Sequence, residues 1–379
     1  QAQAALARQL AAQAQSITVQ QPGELETSGL LAVESLRRHP TVEGNQALSQ
    51  VLALLPRHIA DWALDTPINV VSINGDGHLV VSGDNGNVAR VWLVDTGTVV
   101  SEEHFGGRVT VVAFGKDGDR VIAGSIDHSV RVWDPRTGQG MIQIRHNAPV
   151  ETLAVSPNGE LAASGEGCER AIWLCGDSDS DPKSYSVLVW DIVSGNIVAQ
   201  LTHDNPVSSI AFSPNGPWLA TSEYCAGAGC TTNLHFWNTQ NGNEVLRVPF
   251  EKPVAQLAFS PVETYSYPPF LPSTFNSKPR GAELAISEGS WSGTQSGGPI
   301  SIWEFVYPTE GSSASWDSIS YLPIDLDTNK FVFSPDGEWI ATGGDDNSAR
   351  VWQVQSGKLI SVVEHGGPVA IARGDAAAE

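Results

Sequence analysis

The sequence predicts an all-β propeller, a set of radial four-stranded blades, preceded by a short α-helical segment. Three observations predict it. Six hydrophobic runs end in a tryptophan, at Trp92, Trp133, Trp190, Trp237, Trp303 and Trp352, with spacings of 41, 57, 47, 66 and 49 residues. A repeat near forty residues with insertions of unequal length is the size of one blade. Tight-turn tetrapeptides recur ahead of the tryptophans at Ser156–Gly159, Ser213–Gly216 and Ser334–Gly337, with Gly115-Lys116-Asp117-Gly118 as a degenerate copy. Between these landmarks run period-two segments bounded by Gly, Pro, Asn and Asp, the pattern of half-buried strands.

One unit shows the plan. Residues 206–213 predict an inner strand, 218–222 and 234–237 the two middle strands, and 244–248 the outer strand. Six complete sets are present. An extra outer-type strand at His58–Leu64 and an extra inner-type start at Pro368–Ala372 favour a seventh, incomplete blade, because a ring must hide its sheet edges. Residues 1–56 read differently. Leu6, Leu10, Ala11 and Ala14, then Leu30, Leu31, Val33 and Leu36, then Leu48, Val51, Leu52 and Leu55 recur at helical spacing, with Pro22-Gly23 and Pro40 as breaks. The expected division is a helical connector at 1–56, a propeller at 57–372 and a tail at 373–379.

The segments Arg-Val-Trp-Asp (131–134) and Leu-Val-Trp-Asp (188–191), with turns of the Ser-Pro-Asp-Gly type (Asn in place of Asp at 158 and 215), resemble the WD-repeat β-propellers over residues 57–365. The wording Leu-Ala-Arg-Gln-Leu-Ala-Ala-Gln followed by Leu-Leu-Ala-Val-Glu-Ser-Leu-Arg-Arg resembles a connector of large bacterial proteins. In them it joins a STAND-type NTPase or another effector to a C-terminal WD-repeat propeller. The opening Gln-Ala-Gln is read accordingly as the start of a piece of a longer polypeptide.

The WD-repeat resemblance implies an internal hydrogen-bonded set in each blade, made of His, Ser or Thr, Asp and Trp. Blade two supplies His104, Asp127 and Trp133, with Ala123 at the hydroxyl position. Blade four supplies His203, Ser222 and Trp237, with Thr231 where Asp is expected, and blade six supplies Thr342, Asp346 and Trp352. These residues are read as structural, since buried polar groups need partners.

The 379 residues carry 42 acidic and 21 basic side chains, a formal charge of −21. Such a field repels phosphate backbones and argues against nucleic-acid binding; it suits a basic protein partner, or solubility alone. No apolar stretch reaches the length of a membrane span. No phosphate-binding glycine loop, His-Glu-x-x-His, Gly-x-Ser-x-Gly or dinucleotide fingerprint is present, and no cofactor or resident metal is implied.

The departures from an ideal repeat are the informative part. Blades three, four and five carry long excursions between their middle strands, at Glu166–Ser186, Glu223–Asn233 and Glu288–Pro299, all expected on one face. A further insertion, Val262–Gly281, is expected on the opposite face as an aromatic flap, an interface or a lid on its own blade. All four cysteines sit in two of the loops. Cys168–Cys175 and Cys225–Cys230 bridges, a four-thiolate zinc site and free thiols compete. Bridges would point outside the cytoplasm, and location stays open. Asp177, Asp179 and Asp181 resemble the start of a calcium loop but lack its glycine and distal Glu, so a solvated acidic turn is the reading.

The function expected is a non-enzymatic recognition and scaffold module of a larger bacterial signalling or conflict protein. It would bind a protein partner through Glu166, Trp173, Asp177, Asp179, Asp181, Glu223, Glu288 and Trp291, the carboxylates facing a cationic surface and the indoles anchoring it. The plainer alternative makes the carboxylates solvated loop bases. At the level of the whole chain the alternatives are an assembly protein that oligomerises through propeller packing, and a loop-borne enzyme.

Overall fold

The computed structural model describes residues 2–20, 25–54, 66–168, 184–214, 217–224, 232–250, 252–265, 279–289, 297–307, 314–322, 328–344 and 346–364. Three helices open the chain: α1 (Ala2–Gln20), α2 (Leu25–Arg38) and α3 (Val42–Leu54). They pack largely through small residues, with Leu31 and Leu48 set against them. Ala7, Ala11 and Ala14 of α1, Ser28, Ala32 and Ser35 of α2, and Ala47 and Val51 of α3 are buried, whereas Leu6, Leu30 and Val33 are exposed. Small side chains let backbones approach closely enough for the Ser28 and Ser35 hydroxyls to donate to the carbonyls of Ala14 (2.6 Å) and Ala7 (2.7 Å).

Six four-stranded antiparallel sheets follow, each in simple meander order. Blade one is β1 (Ile68–Ile73), β2 (Leu79–Asp84), β3 (Val88–Leu93) and β4 (Val99–His104). Blade two is β5 (Val109–Phe114), β6 (Val121–Ser125), β7 (Ser129–Trp133) and β8 (Gly140–Arg145). Blade three is β9 (Val150–Val155), β10 (Leu161–Glu166), β11 (Tyr185–Asp191) and β12 (Ile197–His203). Blade four is β13 (Val207–Phe212), β14 (Trp218–Glu223), β15 (Thr232–Asn238) and β16 (Glu244–Phe250). Blade five is β17 (Val254–Tyr265), β18 (Pro279–Gly289), β19 (Gly297–Val306) and β20 (Ser315–Leu322). Blade six is β21 (Thr328–Phe333), β22 (Trp339–Gly344), β23 (Ser348–Gln353) and β24 (Lys358–Glu364). The expected strands at His58–Leu64 and Pro368–Ala372 lie outside the described residues.

Local chemistry explains the turns. Gly159 closes the β9–β10 turn at φ 75° and Gly195 the β11–β12 turn at φ 73°, a region that residues with a Cβ rarely enter. Blades one, two and six join their middle strands by tight turns through the left-handed residues Asn87, His128 and Asn347. Blades three, four and five place their long loops at this same connection. The Val262–Gly281 insertion is in part a continuation of the sheet, since β17 and β18 stay paired out to Tyr265 and Pro279.

The core lies between blades. The first strands of consecutive blades pack in order, β1 on β5, β5 on β9, β9 on β13, β13 on β17 and β17 on β21. Five apolar clusters fill these five seams. In the seam of blades two and three, Ile122, Val130 and Val132 meet Val150, Ala162 and Trp190. Gly124 lets the two sheets approach: a Cβ there would sit 2.7 Å from both Val111 and Val150.

Candidate functional site

Each tryptophan of the repeat stands on the third strand of its blade, and its indole N–H needs a partner once buried. In four blades the partner is a hydroxyl on the second strand: Trp92 to Ser82 (2.8 Å), Trp190 to Ser164 (3.1 Å), Trp237 to Thr221 (2.8 Å) and Trp352 to Thr342 (3.1 Å). Blades two and five have Ala123 and Ile286 at that register position. There Trp133 reaches across the seam to Ser101 (3.4 Å) and Trp303 uses Ser301 of its own strand (2.8 Å).

Two blades add a histidine to the hydroxyl. His146 Nε2 lies 2.8 Å from Ser164 Oγ, and His203 Nε2 lies 2.7 Å from Thr221 Oγ1. Two of the expected assignments are therefore corrected. In blade four the hydroxyl is Thr221 and not Ser222, which points the other way and bonds Ser208 (2.8 Å). His104, expected in the set of blade two, stands on the exposed edge of β4 in blade one beside Glu102 (3.3 Å), and the position corresponding to His146 and His203 is the buried Phe105. The alternation of the strand puts adjacent residues on opposite faces, so a shift of one changes the partner.

The acidic residue of the set occupies one of two places. In blade two Asp127 accepts from Gly106 N–H (2.8 Å) and from Ser129 N–H (2.9 Å) and Oγ (2.6 Å). In blade six Asp346 accepts from Ser348 Oγ (2.8 Å) and from Arg350. Blades three and four use a glutamate at the end of the second strand instead. Glu166 accepts from Asn147 N–H (2.8 Å) and Ser186 N–H (2.7 Å). Glu223 accepts from Asp204 N–H (3.0 Å) and from the side-chain amides of Asn205 and Asn233 (3.2 Å each). Gly106, Asn147 and Asp204 each lie three residues before the first valine of their blade, so Asp127, Glu166 and Glu223 tie the same turn.

Blade four carries a second imidazole. His235 Nδ1 donates to Glu244 (2.6 Å), and its Nε2 lies 3.3 Å from Glu223. Its ring stacks on Trp237 with centroids 5.5 Å apart and meets His203 edge-on at 5.0 Å. Electrostatics follows from this crowding. Burial opposes ionisation of Glu223, but His235 and the two asparagines overcome it and hold the carboxyl down at about 2. Burial likewise opposes Glu166, yet hydrogen bonds from His146, Asn147 and Ser186 keep it below its ordinary value. Burial, and then the proximity of His235, push His203 down to about 4.

The loop residues expected to meet a partner are only partly described. Glu166, Glu223 and Glu288 pair in one register with Val150, Val207 and Val254, so the three excursions leave the same end of adjacent blades. The Glu166 and Glu223 carboxylates are buried and committed to internal donors, and they anchor the loops rather than project from them. Cys168 is half-buried at the base of its loop. Trp173, Asp177, Asp179, Asp181, Trp291, Cys175, Cys225 and Cys230 lie outside the described residues. Among the described residues no cluster of His, Cys, Asp and Glu is placed to hold a metal ion, and no helix is long and apolar enough to cross a membrane. Thr221, Ser164, His146, His235 and Glu244 escaped the sequence reading. The interval His-x-x-Pro-Val, shared by residues 146–150 and 203–207, would have revealed His146.

Comparison with known proteins agrees with this geometry. The WD domain, G-beta repeat model matches residues 97–134, 195–238 and 325–353. A 77-residue stretch is 32% identical to the small ribosomal subunit protein RACK1y of Oryza sativa subsp. japonica, covering 20% of this chain and 18% of that protein. The corresponding protein RACK1 of Drosophila melanogaster is 30% identical over 77 residues, 20% of this chain and 19% of the relative. The matched stretch thus spans under a fifth of either curated relative. A chain in the crystal structure of a mitotic checkpoint complex superposes with a TM-score of 0.57 at 21% identity, covering 79% of this chain and 78% of that one, a likeness of fold alone. The described residues fold into a six-bladed β-propeller that follows three helices in the sequence, and three stretches of it match the WD domain, G-beta repeat.

Proposed function

We propose that this chain is a non-enzymatic recognition and scaffold module that captures a protein partner on the loops joining the middle strands of blades three, four and five. The observation that carries the reading is the shared register of Glu166, Glu223 and Glu288. From that register the three long excursions depart at the same end of adjacent blades, and loops carried on a rigid framework characteristically bear recognition. Their contact residues are Trp173, Asp177, Asp179, Asp181 and Trp291, facing a basic partner surface that suits a chain of net charge −21. Glu166 and Glu223 enter as the anchors that hold the loop bases. Bridges Cys168–Cys175 and Cys225–Cys230 would stiffen two of the loops and reduce the entropy lost on binding.

The helices resemble a connector, and on that resemblance they relay occupancy to an effector in a larger bacterial signalling or conflict protein. Replacing the three loops with tight turns tests the binding surface. Partner capture from extracts of the source organism should be lost while the thermal transition shifts by no more than a few degrees. Capture that survives this change, and disappears only when residues 266–278 are deleted, places recognition on the opposite face.

A further inference from the structure

We propose that β24 is a self-complementary sheet edge on which a second copy of this chain docks, its own β24 running antiparallel to the first. β24 ends the sheet of blade six, and among the described residues no strand pairs with its outer side. Such an edge offers a row of open backbone donors and acceptors, which proteins ordinarily guard with charge or proline. Here the guard is missing. Leu359 and Val363 on one face are 40% and 49% exposed, and Ile360 and Val362 on the other are 44% and 42% exposed. The outer strands of the other blades differ at matched positions, counted from the left-handed glycine of the preceding turn (Gly97, Gly138, Gly195, Gly242 and Gly357). Val362 stands where blades one to four expose Glu102, Gln143, Gln200 and Arg247. Val363 stands where blades two and three bury Ile144 and Leu201.

The order of residues along β24 selects the occupant. Lys358-Leu359-Ile360-Ser361-Val362-Val363-Glu364 has a small residue at its centre, two aliphatic residues on either side, and opposite charges at its ends. A twofold axis at Ser361 sets Lys358 against the partner's Glu364, Leu359 against the partner's Val363 and Ile360 against the partner's Val362. Residues directly opposite in an antiparallel pair share a face, so both ion pairs and all the apolar pairs form together. Moving the axis one residue, to Val362, would instead set Glu364 against an isoleucine and leave Lys358 without an opposite residue in the strand. Charge complementarity therefore fixes both the partner and the register. A single seven-residue strand buries little surface, so the dimer is weak, with a dissociation constant on the order of 10–100 µM.

Sedimentation equilibrium on the 379-residue chain tests the pairing. The expected result is a monomer–dimer equilibrium in that range. Lys358→Glu and Glu364→Lys, each alone, set like charges opposite one another and should weaken dimerisation at least about tenfold. The double reversal restores opposite charges and should return the constant to within about threefold of the parent's. Val362→Lys should give a monomer with the parent's urea midpoint, measured where the parent is itself monomeric, which separates loss of docking from unfolding. A parent that stays monomeric at about ten times the upper limit of that range overturns the proposal. So does a dimer indifferent to the single reversals, or a double reversal no better than either single one. Protection of every β24 amide from hydrogen exchange in the monomer also overturns it, by showing that another part of the same chain covers the edge.

Discussion

His203 and Thr221 meet at 2.7 Å, Nε2 to Oγ1, and the same hydroxyl takes the indole N–H of Trp237 at 2.8 Å. One buried oxygen thus serves two aromatic side chains on different strands, and its removal strands both. Thr221→Val keeps the shape of the residue and removes only the hydroxyl. It should cost about 2 kcal/mol, within the range for leaving buried polar groups unpaired. Ser222→Ala, one residue away on the opposite face, should cost less than half as much. Urea unfolding of both variants provides the comparison, and equal losses would contradict the assignment of Thr221 as the shared partner.

Acid should weaken the fold in two stages. His203 falls from its ordinary 6.5 to about 4 in the folded protein, so the unfolded chain binds this proton more tightly. The neutral ring's contribution is complete above 6.5 and is lost as pH drops from there towards 4, by at most about 3 kcal/mol. His203→Gln should flatten this limb of the stability–pH curve, measured by thermal midpoints at fixed ionic strength.

The lower limb belongs to Glu223, which falls from 4.5 to about 2. Its ionised form stabilises the fold fully above 4.5, and that stabilisation disappears as pH falls through about 2. Glu223→Gln should reduce stability at pH 7 by about 1–3 kcal/mol, since hydrogen bonds to a charged acceptor are lost. It should also remove the pH dependence between 4.5 and 2. A curve that stays as steep as the parent's would show that other carboxylates carry this limb.

Gly124→Ala tests the seams. The added methyl would stand 2.7 Å from Val111 and from Val150, one on its own blade and one on the next. Overpacking of this kind costs about 1–3 kcal/mol. Gly140→Ala, where nothing lies within 4 Å, should be nearly neutral in the same thermal melts.

What the sequence disclosed divides along a physical line. The tryptophans and the turn glycines announce themselves because their requirements are local: an indole closing a strand, or a backbone angle that glycine accepts. Strand order followed from the repeat itself. The roles of Glu166 and Glu223 were hidden, because a glutamate at a strand end looks like a loop base until the turn 19 residues upstream folds back and offers its N–H. Thr221 and Ser222 were confused because two adjacent hydroxyls differ only in the face they take, which is a matter of register. In the helices periodicity picks out Ala11, Ala14 and Val51, which are buried, together with Leu6, Leu30 and Val33, which are exposed, because close contact here runs largely through alanine and serine.

The buried carboxylates at the ends of β10 and β14 carry one more implication. Each ends its strand by grasping the neighbouring turn, so the sheet is complete before the hairpin begins. Chain added or exchanged between Tyr224 and Thr232, or between Gly167 and Ser184, leaves that grip intact. These positions are ports for grafting. Foreign epitopes or binding peptides inserted there would be displayed from a fixed base, and successive variants could diversify without renegotiating the architecture that carries them.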